Sequence, residues 1–290
     1  MRIALAELAP HPRDVARNVE TLGRVARASA VDLIVAPELY LSGYRVGDAF
    51  HSLALDRREL THSPLVGLAR ESGKTIVVGA PLRSADRPGE VENAAVLARP
   101  DGTVAVQVKR YLPTYGPFEE GALFTPTNTS TPVDVLGQPV GLEICYDVFF
   151  PEVSRELALG GAILLVAISA APVTSRRLFD VVLPARAVEN ALPVVYVNRV
   201  GVEDGFVFGG GSGAWDARGQ PVALEPVVVE GLERDESVRV AEIDLTDAPR
   251  WRPFRPVLRD TASRPPAGTE IRGPPPPWHS PHPSTRTSGL

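Results

Sequence analysis

What this chain lacks narrows the possibilities first. Among its 290 residues there is one cysteine, Cys145. No disulfide can form within the chain, and a cysteine-rich metal site is excluded. Lysine is almost as scarce: of 30 Lys+Arg, only Lys74 and Lys109 are lysines. A chain that uses arginine nearly everywhere keeps a lysine where a compact ammonium is required, since a guanidinium differs in shape and reach. Lys74 lies in a Gly73-Lys74-Thr75 turn and needs no such explanation, which leaves Lys109 as the candidate. No block of basic residues stands out and the formal net charge is -5, so nucleic acid and anionic membrane are not expected partners. No apolar run approaches the ~18 residues that a membrane span needs. The first residues run straight into a strand-like segment without the parts of a signal peptide. A cytoplasmic location is the expectation.

What is present reads as a globular chain with a substantial core, at 44% hydrophobic and 22% charged residues. Val15, Val19, Leu22 and Val25 recur at helical spacing and predict an amphipathic helix over 14–30. Short apolar strands are expected over 3–8, 32–37 and 75–82. A helix between the last two starts at Ser63-Pro64 and stops at Gly73. Residues 93–98 and 104–108 flank Pro100-Asp101-Gly102 as a hairpin, and 132–136 and 139–144 flank Gly137-Gln138 as another. Further on, helices are expected over 151–159 and about 175–190, the second kinked at Pro184. Strands are expected over 162–169, 194–198 and 238–245. Strands joined by both hairpins and helical crossovers imply an α/β fold of mixed sheets covered by helices, a two-sheet sandwich rather than an all-parallel doubly wound sheet. Residues 1–250 read as one domain. Residues 251–290, with four consecutive prolines at 274–277, read as a Pro-rich tail, extended or disordered.

Three strand ends deliver reactive side chains. Cys145 follows the alternating Val140, Leu142 and Ile144 and precedes a proline-started helix, a strand-to-helix turn where a side chain is exposed and backbone N–H groups point outward. Glu38 ends a buried strand among apolar and aromatic neighbours, which suits a general base working near neutrality. Lys109 ends the first hairpin. Each alone has an ordinary reading: a buried structural thiol, a solvated carboxylate, a surface ammonium. Together they form the set that α/β sheets place at the carboxyl ends of their strands. None of the five histidines (His11, His51, His62, His279, His282) falls at a core strand end, so the base for Cys145 is expected to be a carboxylate. The run Gly209-Gly210-Gly211-Ser212-Gly213 lacks phosphate-loop spacing and has Ala214 where a serine elbow needs glycine. It reads as a turn needing positive φ.

These segments resemble the nitrilase superfamily of carbon–nitrogen hydrolases over roughly residues 1–245. The matching stretches, in order, are Ala36-Pro37-Glu38-Leu39-Tyr40, Lys109-Arg110-Tyr111-Leu112-Pro113, Glu143-Ile144-Cys145-Tyr146-Asp147 and Ala185-Arg186-Ala187-Val188-Glu189-Asn190. The resemblance implies a four-layer α-β-β-α sandwich that assembles as a homodimer or higher homo-oligomer. It implies a Glu38–Lys109–Cys145 triad working on a small amide without metal or cofactor. Glu120, or else Glu119, would hold Lys109. The backbone N–H of Tyr146 would help to bind an oxyanion, and Tyr44, Tyr115, Tyr146 and Ser169 would meet the substrate. The stretches around Tyr44 and Tyr115 look most like the glutaminase domain of glutamine-dependent NAD synthetases. Tyr146, however, stands where that domain tends to carry an acid, and Ser169-Ala170-Ala171-Pro172 replaces its glutamine-gripping segment. A simple amidase, an ω-amidase, a carbamoyl-amide hydrolase, ammonia supply to a separate synthetase and a non-catalytic partner subunit on the same fold are the readings carried forward. Nitrile hydrolysis and acyl transfer to an amine rank behind them.

Overall fold

The computed structural model describes residues 1–262. Along the chain come β1 (Arg2–Glu7), α1 (Val15–Ala28), β2 (Leu33–Val35), α2 (Phe50–Leu53), α3 (Pro64–Ser72) and β3 (Thr75–Arg83). Two hairpins follow. One pairs β4 (Val91–Ala98) with β5 (Val104–Val108); after the short α4 (Glu120–Leu123), the other pairs β6 (Val133–Val135) with β7 (Gln138–Ile144). Next are α5 (Pro151–Leu159), β8 (Leu164–Ser169), α6 (Arg176–Asn190) and β9 (Val194–Asn198). A small hairpin of β10 (Val200–Glu203) and β11 (Phe206–Gly209) leads to β12 (Gly213–Trp215), β13 (Leu224–Val227) and β14 (Ser237–Glu242). The helices α7 (Asp247–Trp251) and α8 (Val257–Ala262) complete the described chain.

The strands form two mixed sheets, ordered β13-β14-β1-β2-β3-β4-β5 and β12-β9-β8-β7-β6. In each, three strands are parallel (β1, β2, β3 and β7, β8, β9) and the flanking pairs are antiparallel. Period-2 alternation sorts the side chains between layers. Ile3, Leu5 and Val35 of the first sheet meet Leu142, Ile144 and Val166 of the second, all buried between the sheets. The intervening Ala4 and Ala6 face Leu22 and Val25 of α1. Leu165 and Ala167 face Leu157 and Leu183 on α5 and α6. The layers therefore run α-β-β-α, as expected. Strands covered on both faces read as continuous apolar runs, which is why they stood out in the sequence.

Local chemistry fixes the ends. Ser63 Oγ accepts from Val66 N, Pro64 occupies the first turn, and Gly73 closes α3 at φ 67. The β4–β5 turn is held by Asp101 Oδ1, which accepts from the backbone N and the hydroxyl of Thr103. Gly210 and Gly211 take φ 62 and 88, as read for the glycine run. A Cβ at Gly210 would lie 2.3 Å from a Glu7 oxygen, so a larger residue would have to displace that carboxylate as well as hold a left-handed backbone. Of residues 251–262, which composition assigned to the tail, Trp251 ends α7 and Val257–Ala262 form α8. Leu258 packs against the α5–α6 layer, Arg252 donates to the Ala162 carbonyl and Arg255 Nη1 to that of Val188 at 2.8 Å. These anchors outweigh the local proline content. The rest of the expected tail, 263–290, lies outside the described residues. No helix among the described residues is long and apolar enough to cross a membrane.

Candidate active site

The ends of β2, β5 and β7 converge. Glu38 lies just past β2, in a segment pressed so close to β3 that a Cβ at Gly79 would come within 2.2 Å of the Leu39 nitrogen. Leu39 turns the chain at φ 49. Lys109 lies just past β5, its N–H donating to the Asn93 carbonyl at 2.8 Å. Cys145 opens a helical turn (Cys145–Phe149) after β7 at φ 49, a left-handed conformation that a non-glycine residue holds only when its surroundings impose it.

Lys109 is fully buried, and its Nζ donates to Glu38 Oε1 at 2.6 Å and Glu120 Oε1 at 2.8 Å. Glu120, the first residue of α4, also accepts from the Tyr44 hydroxyl at 2.6 Å. Glu119 is exposed and makes no such contact, so the chain's second glutamate beside the lysine is Glu120. Glu38 is saturated further: Asn93 Nδ2 donates to Oε1 at 2.7 Å and Ala170 N to Oε2 at 2.8 Å. Burial alone would lower the Lys109 ammonium, but the Glu120 and Glu38 carboxylates outweigh it and hold the pKa above its ordinary value. Burial pushes the Glu120 carboxyl up against the pull of Lys109, with the Glu38 charge adding to the rise.

Cys145 is half-buried and lines a cavity of about 130 Å³ in front of this cluster. Burial pushes its thiol well above the ordinary range, and the Glu38 charge adds to that; Lys109 and the Ser169 hydroxyl pull the other way. Burial first, and the Glu38 charge second, favour the protonated thiol over the thiolate.

A carbon–nitrogen hydrolase family model matches residues 2–253. The chain belongs to the carbon–nitrogen hydrolase family. An (R)-stereoselective amidase from a Pseudomonas species is 36% identical over 248 residues, 84% of this chain and 85% of that one. The glutamine-dependent NAD(+) synthetase of Thermotoga maritima is 32% identical over 258 residues, covering 84% of this chain but 44% of the synthetase. Among solved structures, an amidase from Nesterenkonia sp. superposes with a TM-score of 0.71 at 32% identity, over 88% of this chain and 95% of that one. One mutant of a Nesterenkonia amidase carries the acetamide moiety of fluoroacetamide covalently added at its active-site cysteine.

In this hydrolase the residues expected at the substrate divide. Tyr44, Tyr115 and Tyr146 line the cavity. Ser169 does not: as the last residue of β8 it is fully buried, with its hydroxyl turned to the Cys145 thiol and the Tyr196 hydroxyl without a hydrogen bond of regular geometry. The wall beside it is made by Ala170, Ala171 and Pro172. Sequence reasoning missed Asn93, a lone buried amide in an apolar strand, and Asp147. Asp147 Oδ1 accepts from Tyr111 N at 2.8 Å and Arg110 N at 3.1 Å, and Oδ2 accepts from Ile144 N at 3.2 Å. It ties the cysteine turn to the lysine strand end, and an acid two residues past the cysteine was the available signal. Among the described residues no group of three or more His, Cys, Asp or Glu side chains could hold a metal ion.

Proposed function

We propose that this hydrolase cleaves the C–N bond of a small amide through an acyl thioester on Cys145, releasing ammonia or an amine. The observation that carries the proposal is the buried Glu38–Lys109–Glu120 cluster lying behind the one cysteine, which opens onto a cavity. Glu38 takes the thiol proton as the sulfur attacks the amide carbon. The Lys109 ammonium has three N–H donors and spends two on carboxylates, leaving one for the oxyanion. The N–H of Tyr146, in the first turn of its short helix, needs no partner within that helix and is a second donor. As the C–N bond breaks, Glu38 returns the proton to the leaving nitrogen. It then draws a proton from the water that attacks the thioester, and the acid leaves with Cys145 restored. The (R)-stereoselective amidase of Pseudomonas and the fluoroacetamide adduct of the Nesterenkonia amidase support an amide substrate.

The deciding experiment is Cys145→Ala. Ammonia release from a panel of primary amides should vanish while the melting temperature stays within a few degrees of wild type. Mass spectrometry of wild type with a slow amide should find the acyl group on the peptide containing Cys145. Retained turnover in the alanine variant overturns the assignment. A homodimer in the cytoplasm completes the proposal: Leu159 on α5 and Val181 and Val188 on α6 are exposed apolar side chains awaiting cover, and the lone cysteine asks for no oxidising compartment. A monomer mass by light scattering would count against it.

A further inference from the structure

Attack by Cys145 fixes the chemistry of one end of a substrate, and the cavity wall fixes the other. The cavity of about 130 Å³ leaves room for an amide group and a short chain. None of the side chains lining it is Asp, Glu, Lys, Arg or His. The walls are supplied by Phe118, Phe149, Phe179, Leu178 and Pro172, and the polar lining is limited to tyrosine hydroxyls, the Ser175 hydroxyl and Cys145 itself. The mouth is apolar too: Tyr115 is 53% exposed and Leu178 57%.

The charged groups nearby are paired or lie outside the cavity lining. Lys109, Glu38 and Glu120 are bound to one another behind the sulfur. Arg45 stacks on Phe206 at 4.7 Å and pairs with Asp204. Buried Arg199 pairs with Glu203 and stacks on Phe208 at 4.0 Å. Arg176 and Arg177 follow Ser175 in sequence, but both are exposed and neither lines the cavity. A carboxylate or ammonium carried in on the acyl chain would give up its water and find no partner of opposite sign, which is strongly unfavourable in an apolar pocket.

We infer that the acyl group of the substrate is uncharged, a short aliphatic or aromatic monoamide, and that glutamine and other ω-amides of amino acids are excluded. This rests on the amide-hydrolase reading above and narrows it: the resemblance to glutaminase domains lies in the catalytic segments and does not extend to the wall that would grip an amino acid.

The test uses the full chain and three amides of matched length. Pentanamide is uncharged, glutaramate adds a carboxylate, and glutamine adds a carboxylate and an ammonium. The ratio of kcat/KM for ammonia release should favour pentanamide over each of the others by ~100-fold, equivalent to ~2.7 kcal/mol at 1.36 kcal/mol per tenfold. A preference below about tenfold, or turnover of glutamine without pentanamide, overturns the inference and leaves cysteine-based amide hydrolysis standing. Silence toward all three, together with silence toward shorter amides and no acyl adduct on Cys145, would instead bring down the hydrolase reading and this inference with it.

Discussion

Lys109 shows how much one side chain depends on its shape. Its ammonium lies between two buried carboxylate oxygens at 2.6 and 2.8 Å, with no exposed surface. A guanidinium is larger and planar and directs its donors in a fixed fork, so it cannot put one nitrogen between Glu38 and Glu120 while leaving a donor for the oxyanion. Lys109→Arg keeps the charge and is expected to lower kcat/KM by about 100-fold or more, the scale of losing one oxyanion donor. Steady-state kinetics checks it, and a loss under about tenfold would show that charge alone suffices. The same scarcity made the site legible in the sequence: the lone cysteine, one of two lysines and a glutamate ending an apolar run are rare types at strand ends. Glu120 could not be separated from Glu119 that way, because which of two adjacent carboxylates turns inward depends on the helical turn of α4. Asn93 was invisible because nothing in a single sequence marks one buried amide as aimed at a carboxylate across the sheet.

At the scale of elements, the site depends on ties between segments that share no regular pairing. Asp147 is the clearest, joining the turn after β7 to the chain after β5 through the N–H groups of Ile144, Arg110 and Tyr111. Without its carboxyl, the buried Ile144 N–H and the part-buried Arg110 and Tyr111 N–H groups lose their acceptor, at ~1–3 kcal/mol each where water cannot replace it. Asp147→Ala should therefore cut kcat at least tenfold, since the sulfur and the ammonium lose their common anchor, with a smaller change in KM. A variant that loses only thermal stability and keeps its kcat would confine Asp147 to a structural role. A second tie is Glu203, whose carboxylate accepts from Tyr44 N at 3.0 Å and Arg45 N at 2.7 Å and pairs with Arg199. It fastens the β10–β11 hairpin over the Glu38 loop and so holds Tyr44 against Glu120. That hairpin was not legible in the sequence. Its strands are only four residues each, Phe208 bridges to Pro172 and packs with Leu39 and Tyr44, and Val202 and Val207 are left exposed, so too few apolar positions recur to mark it.

For the whole molecule, the four layers were legible because doubly covered strands and one-sided helices write different periods into the chain. Short edge strands such as β12 and β13 carry too few residues to show either. The same double covering makes any carboxyl in a central strand a liability for global stability, and Glu143 on β7 is such a group. It is fully buried; Ser154 Oγ donates to its Oε1, and Oε2 has no partner. Burial pushes its carboxyl up to about 7, against the Ser154 hydrogen bond and the Arg186 charge, from an ordinary value of 4.5. Below pH 4.5 the folded and unfolded chains both hold the proton. Between 4.5 and about 7 only the folded chain does, so rising pH favours unfolding; above about 7 neither does, and the penalty is constant. Glu143→Gln keeps the shape, places an amide at the unpartnered oxygen and removes the titration. Its stability relative to wild type should rise by roughly 2–3 kcal/mol between pH 5 and pH 8, equivalent to roughly 4–12 °C in relative melting temperature at this size. Thermal melts of both proteins across that range decide the matter: parallel curves would mean that Glu143 is already ionised at pH 5, and that the sandwich accommodates a buried charge here without penalty.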